Sequence, residues 1–444
     1  MRIGIVGGGI TGLTAAYELA KRGHEVSLFE SEPDLGGQAA TFPVEGTRLE
    51  KFYHHIFTSD REMIALIEEL GLAEEMRWLP SKVGIYYEGE IYDFVTPLNL
   101  LRFRPLGLLQ RLRTGIVTLY LQQFANWRNL ENVTALEWVR RNVGQQPYEV
   151  IFRPLLRGKF GQYADEISMA WLWSKFKHRV ASRGPAMQRE LLGYMEGSFQ
   201  RLIDRLEERI GELGGEIYPG SPVKRVIIEG NRVTGLEIES TEGETPVEHR
   251  FPLVIATVPS FVFLEIVPDL PEAYVARLRQ VEYLGAVCLV LLSKEPLSRI
   301  YWLNISDTDF PFVGAIEQTN LIPPEAYNGK HIVYLSNYLS RHDPHYHLPP
   351  QDLLTTYLPF LKKMNPAFNE AWVEELWLFR ADAAQPIITC DYSERIPPLW
   401  TPVEGLYLAN TSQIYPQDRG MNYSVRLGQR AAEIVERVEK GETL

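Results

Sequence analysis

Gly7, Gly9, Gly12 and Glu30 are the residues of this 444-residue chain whose spacing most narrowly limits its chemistry. The glycines stand as G-x-G-x-x-G. Gly7 permits a tight turn out of a strand. Gly9 has no side chain, so the backbone can come close to a pyrophosphate. Gly12 lets the following helix pack on the strand. Ile10 and Thr11 carry N–H groups at the start of that helix, where free donors and the positive dipole end favour an anion. Glu30, with Ser31 beside it, is placed to accept hydrogen bonds from a ribose. The pattern therefore reads as a dinucleotide clasp. The alternative is a structural glycine turn in a Rossmann-like unit that holds something else.

These residues need particular elements around them. Ile3, Ile5 and Val6 form the apolar run of a buried parallel strand. Leu13–Arg22 has helical character, and Val26–Phe29 suits a second strand. Asp60–Leu70 reads as an amphipathic helix with Ser59 or Asp60 as N-cap. Lys82–Phe94 alternates and breaks at Glu88-Gly89, a hairpin signal. Leu98–Trp127 reads as one helix, basic at its start. Leu284–Ser293, Phe312–Glu317 and His331–Tyr338 read as strands, and a helix lies near Asp352–Lys363. Near the C-terminus, Leu406–Ala409 suits a strand and Tyr423 onward a helix.

A second glycine pair follows the second strand, Gly36-Gly37 in DLGGQAATF. With the first motif it resembles the signature of the flavin amine oxidase, protoporphyrinogen oxidase and phytoene desaturase superfamily. That signature reads acid, four residues, Leu-Gly-Gly-Arg; Glu30, Leu35, Gly36 and Gly37 match, and Gln38 replaces Arg. The C-terminal strand–loop–helix is a third match. The resemblance implies non-covalent FAD, with Asn410 at the position of the acid that contacts the ribityl chain. It also implies helix-start N–H groups near Met421 at the flavin C2 carbonyl, and the backbone near Val223 at the adenine. Cys390 lies in no motif of covalent flavin attachment.

Catalytic candidates are His55, Tyr415 and Arg419. His55-Ile56-Phe57 resembles a stretch of UDP-galactopyranose mutases, and a neutral histidine could move a proton near flavin N5. Tyr415, Asp418 and Arg419 precede the C-terminal helix, in a loop that borders the ring in this fold; local capping is the plainer role for Asp418. Arg153, Arg157 and Lys159 could anchor a substrate carboxylate or phosphate, or form surface salt bridges. The Trp-rich stretch Met169–Phe176 suits a pocket wall or plain core. RHDPHYH (341–347) is a polar loop, and no metal site is expected.

The expected fold is α/β. A discontinuous Rossmann-like FAD-binding domain (1–80, 196–262 and 401–444) joins an α+β substrate domain with a helical insert (81–195 and 263–400). The favoured function is an FAD-dependent oxidoreductase that takes a hydride from a small organic substrate onto flavin N5. The rivals are a non-redox flavoenzyme similar to UDP-galactopyranose mutase, acting on a nucleotide sugar, and a flavin-free binding protein resembling GDP-dissociation inhibitors. The net charge of −12 argues against nucleic acid as a partner. Two cysteines fit a reducing cytoplasm. The first strand starts at Met1, which leaves no room for a cleaved signal, and no apolar run is long enough to span a membrane. The basic helix at 98–127 has two readings, peripheral membrane contact or a core helix with a solvated edge. Oligomeric state is open.

Overall fold

The computed structural model describes residues 1–181, 190–239 and 246–442. The first strand, Arg2–Val6, is the centre of a five-stranded sheet, flanked by Glu25–Phe29 and Leu253–Ala256. Glu216–Tyr218 and Leu406–Leu408 form its edges, and every pairing is parallel. Burial on both faces explains the unbroken apolar runs. The helices Ile10–Lys21, Gln200–Glu212 and Met421–Glu439 contribute to the cluster on one face. On the other face Val6 and Phe29 pack with Leu236 and Phe251, which an antiparallel sheet of Val223–Glu229, Arg232–Ile238 and Val247–Arg250 brings over.

The second large sheet has seven strands, in the order Val373–Pro386, Tyr283–Ser293, His331–Leu339, Gly314–Glu317, Trp302–Ile305, Val83–Tyr87, Glu90–Asp93. Its long strand Tyr283–Ser293 shows period-two partition. Val287, Leu289 and Leu291 join the core under helix Pro350–Met364, whereas Cys288, Val290 and Leu292 join the core shared with the parallel-sheet half. One strand thus belongs to both halves, which fixes them against each other. The hairpin turns at Glu88 and Gly89, both at positive φ.

The helical part, built from Leu108–Gln123, Ala135–Asn142, Arg153–Phe160 and Met169–Ala181, has its own core. Here the structure corrects the single helix expected at 98–127. There are two, Pro97–Arg102 and Leu108–Gln123, because Pro105 and Gly107 interrupt the run. The C-terminal helix begins at Met421, two residues earlier than its apolar pattern suggests. Strand Leu191–Met195 pairs with Ile56–Phe57 and Met76–Pro80, and so lies with the parallel-sheet half.

Candidate active site

The turn after the first strand is built on two kinds of glycine. Gly7 sits at φ +105, and a Cβ on Gly12 would stand 1.9 Å from the Gly7 carbonyl oxygen, so helix and turn can close only on glycine. Gly9 is different. It caps the helix at φ −71 and ψ 174, a conformation open to any residue. The nearest heavy atom to a Cβ there is Gly37 Cα, 4.0 Å away. Neither the backbone nor the protein around it calls for glycine; the space in front of Gly9 is kept for something else.

The second glycine pair closes on this turn. Gly36 N donates to Gly8 O at 2.8 Å, and Gly9 and Gly36 form an isolated parallel bridge. The first intrahelical bond of the segment runs from Leu13 N to Gly9 O, which leaves the N–H groups of Ile10, Thr11 and Gly12 ahead of the helical ladder. Glu30 is buried and tightly held. It accepts from Gly8 N at 2.6 Å, from the Ser31 hydroxyl at 3.0 Å and from Glu32 N at 2.9 Å.

Two other sequence-derived cofactor positions fall at the start of a strand and of a helix. Val223 opens its strand, and Met421 opens the C-terminal helix after Gly420. Two polar side chains turn toward protein. Gln38 donates to Ala383 O at 3.0 Å and so ties the glycine loop to the seven-stranded sheet. Asn410 accepts from Ser412 N at 3.0 Å and donates to Val258 O at 3.1 Å, joining the ends of two parallel strands.

Where the two halves and the helical part meet, charged groups converge. Asp418 is buried, and its Oδ2 lies 3.1 Å from Lys159 Nζ and is also paired with Lys175. Its Oδ1 accepts from Trp171 Nε1 at 3.1 Å and from Gln385 Nε2 at 3.3 Å. Burial alone would raise this carboxyl; Lys159, Lys175 and Arg419 outweigh it and hold Asp418 well below the usual range. Arg419 donates to the Tyr338 hydroxyl at 2.9 Å. Lys159 Nζ lies 5.0 Å from the centre of the same ring, and the Arg419 guanidinium 5.7 Å from it. Burial would raise the Tyr338 phenol as well, yet Lys159 and Arg419 bring it below its ordinary value.

The catalytic candidates are distributed unevenly around this cluster. Arg419 is within it. His55 places Nδ1 3.0 Å from the Tyr301 hydroxyl and packs edge-on to Phe57, Tyr301 and Trp302. The neighbouring His54 feels Arg419: burial first, then that charge, lowers it to about 4, so it is neutral at pH 7. Tyr415 packs against Trp127 and Tyr392 in the helical core. Of the three proposed anchors, Lys159 turns inward, while exposed Arg157 stands 3.9 Å from Asp165 and Arg153 lies half-buried. Lys175, Trp171, Tyr338 and Gln385 escaped the sequence reading of charge and catalysis. Trp171 and Lys175, four apart on one helix face, were the available signal.

Comparison with known proteins gives the chain a family. The model of the flavin containing amine oxidoreductase family matches residues 10–435. The chain belongs to that family. Its cofactor is FAD. Among curated relatives, a 15-cis-phytoene desaturase of Synechococcus elongatus is 22% identical over 263 residues, 55% of each chain. The chain thus spans about half the length of the curated relatives it matches. Among solved structures, a putative protoporphyrinogen oxidase from Exiguobacterium superposes with a TM-score of 0.76 at 20% identity, covering 98% of both chains. A reduced UDP-galactopyranose mutase superposes at 0.75 and 16% identity, covering 98% of this chain and 96% of the other. At these identities the superpositions show a shared fold.

The residues of this flavoprotein fit the cofactor. The open approach at Gly9, the leading N–H groups of Ile10–Gly12 and the fixed Glu30 carboxylate offer, in turn, room, donors and an acceptor to a pyrophosphate and its ribose.

Proposed function

We propose that this flavoprotein is an oxidoreductase acting on a small organic substrate held between the parallel-sheet half and the seven-stranded sheet. FAD, when bound, supplies the hydride acceptor at N5. The protein's residues bind and position. Gly9 and the N–H groups of Ile10–Gly12 take the pyrophosphate, and Glu30 takes the ribose. The N-terminus of helix Met421–Glu439 is the group suited to negative charge on the pyrimidine side of the ring. His54, held neutral at pH 7, serves the junction as a hydrogen-bonding group, and Arg419 and Lys159 orient polar groups there. Asp418 stays ionised and serves to hold these cations, so it is a positioning residue.

The observation that carries this reading is Gly9, a glycine that the surrounding protein does not require. The test is a spectrum of the purified protein, followed by an anaerobic screen of candidate substrates for loss of the oxidised flavin band. Bleaching by a substrate supports the reading. A colourless protein that takes up no added FAD overturns it. A nucleotide sugar that perturbs the band of the reduced enzyme, with no compound able to bleach the oxidised one, would favour the mutase-like rival.

The same reading includes contact with an anionic bilayer through helices Pro97–Arg102 and Leu108–Gln123. Leu109, Ile116 and Phe124 are 81%, 68% and 79% exposed there, with Leu98, Leu108 and Leu119 beside them. Single exposed leucines mean little, but a contiguous set does not. Residues 94–130 hold five arginines (102, 104, 111, 113 and 128) and no acid, in a chain of net charge −12. Apolar surface flanked by unopposed positive charge suits lipid with acidic headgroups. No helix among the described residues is long and apolar enough to cross a membrane.

A further inference from the structure

A strand of 14 residues ends the seven-stranded sheet. Val373–Pro386 pairs with Tyr283–Ser293 on one side and, among the described residues, with no strand on the other. The opposite edge of that sheet, Glu90–Asp93, has four residues, and the edges of the parallel sheet, Glu216–Tyr218 and Leu406–Leu408, have three each. Shortness is a common guard of an edge against pairing with another chain, and this edge lacks it. None of the residues Val373–Asp382 is buried, whereas all but the first residue of Tyr283–Ser293 are.

The register fixes where the backbone groups of this edge point. Lys294 N donates to Trp372 O at 2.9 Å, and Ile387 N to Glu282 O at 3.0 Å. Even-numbered residues of the inner strand therefore bond toward the edge strand, where Glu375, Trp377, Phe379 and Ala381 oppose them. Glu374, Leu376, Leu378 and Arg380 alternate with these and aim their N–H and C=O groups outward. Among the described residues nothing bonds to those outward groups. Further on, the strand is buried and Gln38 takes the Ala383 carbonyl.

The open stretch is complementary to itself. Turned antiparallel about Trp377, it sets Glu374 against the partner's Arg380 at both ends and Leu376 against the partner's Leu378. These are pairs of outward-aimed residues, as an antiparallel ladder requires. Trp377 then meets the partner's Trp377 at a position without ladder bonds, where side chains come closest. An axis at Leu378 keeps the bonding parity but sets Glu374 against the partner's Asp382, like charge against like at both ends. An axis further on runs into the segment capped by Gln38, and an earlier one shortens the ladder. Charge on an edge strand ordinarily deters pairing; here it selects one register.

We infer that residues 373–382 form the interface of a homodimer, in which the strand pairs with its own copy across a two-fold axis at Trp377 and joins two seven-stranded sheets into one. Such a dimer depends on neither the substrate nor the redox step.

Sedimentation velocity of the FAD-loaded full chain over a concentration series reads the association, and a reversible dimer is expected. Glu374→Arg, or Arg380→Glu, brings like charges together at both ends and should weaken the dimer by at least about tenfold. Both residues are exposed, so the fold should tolerate either change, and the melting temperature checks this. The double variant Glu374→Arg with Arg380→Glu should associate nearly as wild type does. It cannot regain the present bonds of Arg380 to the Tyr346 and Leu348 carbonyls or the ion pair of Glu374 with Lys330, so recovery reports charge pairing across the axis. In wild-type protein the Leu376 and Leu378 amides should exchange slowly as dimer and quickly on dilution. A chain that stays monomeric at every concentration, a dimer indifferent to both single reversals, or a dimer in which these two amides still exchange quickly overturns the interface. If a single variant melts early, amide exchange in the wild type decides.

Discussion

Replacing Gly9 with alanine separates a cofactor glycine from a structural one. The cost to the fold can be worked from the geometry. At φ −71 and ψ 174 alanine adopts the native backbone without strain, and its Cβ meets nothing nearer than Gly37 Cα at 4.0 Å. Alanine is a poorer helix cap than glycine by up to about 1 kcal/mol. Against this, restricting the unfolded chain returns about 0.4–1 kcal/mol. The two nearly cancel, so the apoprotein should melt within a few degrees of wild type. The bound cofactor is affected otherwise, because the new methyl occupies the approach of the pyrophosphate. Losing one hydrogen bond to a charged oxygen costs about 1.5–3 kcal/mol, or roughly tenfold to a hundredfold in FAD affinity. Fluorescence titration of apoprotein with FAD measures this directly. Gly12→Ala is the contrasting control, since its Cβ would collide with the Gly7 carbonyl and should destabilise the apoprotein itself. Unchanged FAD affinity in Gly9→Ala, or a fall in apoprotein stability as large as that of Gly12→Ala, refutes the reasoning.

Other measurements probe different parts of the molecule. Glu50 is fully buried, and burial, only partly opposed by the Phe199 N–H and the Tyr194 hydroxyl, raises its carboxyl from 4.5 to about 7. The neutral acid is the form the fold favours, so its contribution is complete below pH 4.5 and is lost as pH rises through 7. That interval corresponds to about 3 kcal/mol at about 1.4 kcal/mol per pH unit. Urea unfolding of Glu50→Gln should therefore gain on wild type by about that amount between pH 5 and pH 8; a constant difference refutes it. Glu30→Ala removes the acceptor of Gly8 N, Ser31 and Glu32 N, and should weaken FAD binding by at least tenfold, roughly the value of one charged hydrogen bond; equal affinity in the same titration counts against the ribose role. Leu109→Glu with Ile116→Glu should abolish co-sedimentation with vesicles containing phosphatidylserine and leave the flavin spectrum unchanged. Equal sedimentation of the variant, or a wild-type dimer that the variant splits in the absence of lipid, argues against the lipid face.

Local signals in the sequence were strong where one segment supplied every partner. The strand–turn–helix at 2–21 and the hairpin at 83–93 could be read directly, because glycine spacing and alternation are determined by neighbours in the chain. Asp60 was correctly placed at a helix start, yet its carboxylate accepts from Phe57 N at 2.8 Å instead of bonding into the helix. Pro105 and Gly107 were visible, but the apolar pattern on both sides masked the break. The charged junction was less legible. Asp418 read as a local cap, whereas its partners lie more than 240 residues away in sequence, at Lys159 and Lys175. Nothing within ten residues of Asp418 announces them. Asn410 and Gln38, read from the sequence as cofactor contacts, also have amide bonds that no local signal announces, to the backbone carbonyls of Val258 and Ala383.

The first and last helices of the parallel-sheet half lie against each other so closely that a Cβ on Gly428 would stand 2.6 Å from the Thr11 carbonyl oxygen. The edge strand Leu406–Leu408 completes the same sheet. During synthesis the glycine turn is made well before one of the surfaces that bury its helix, which is translated some four hundred residues later. Contacts of such long range form slowly. The nascent amino-terminal lobe must wait with an apolar helix face uncovered, a state that calls for chaperone shelter. Capture of the vitamin-derived cofactor would then wait for the helix that starts at Met421.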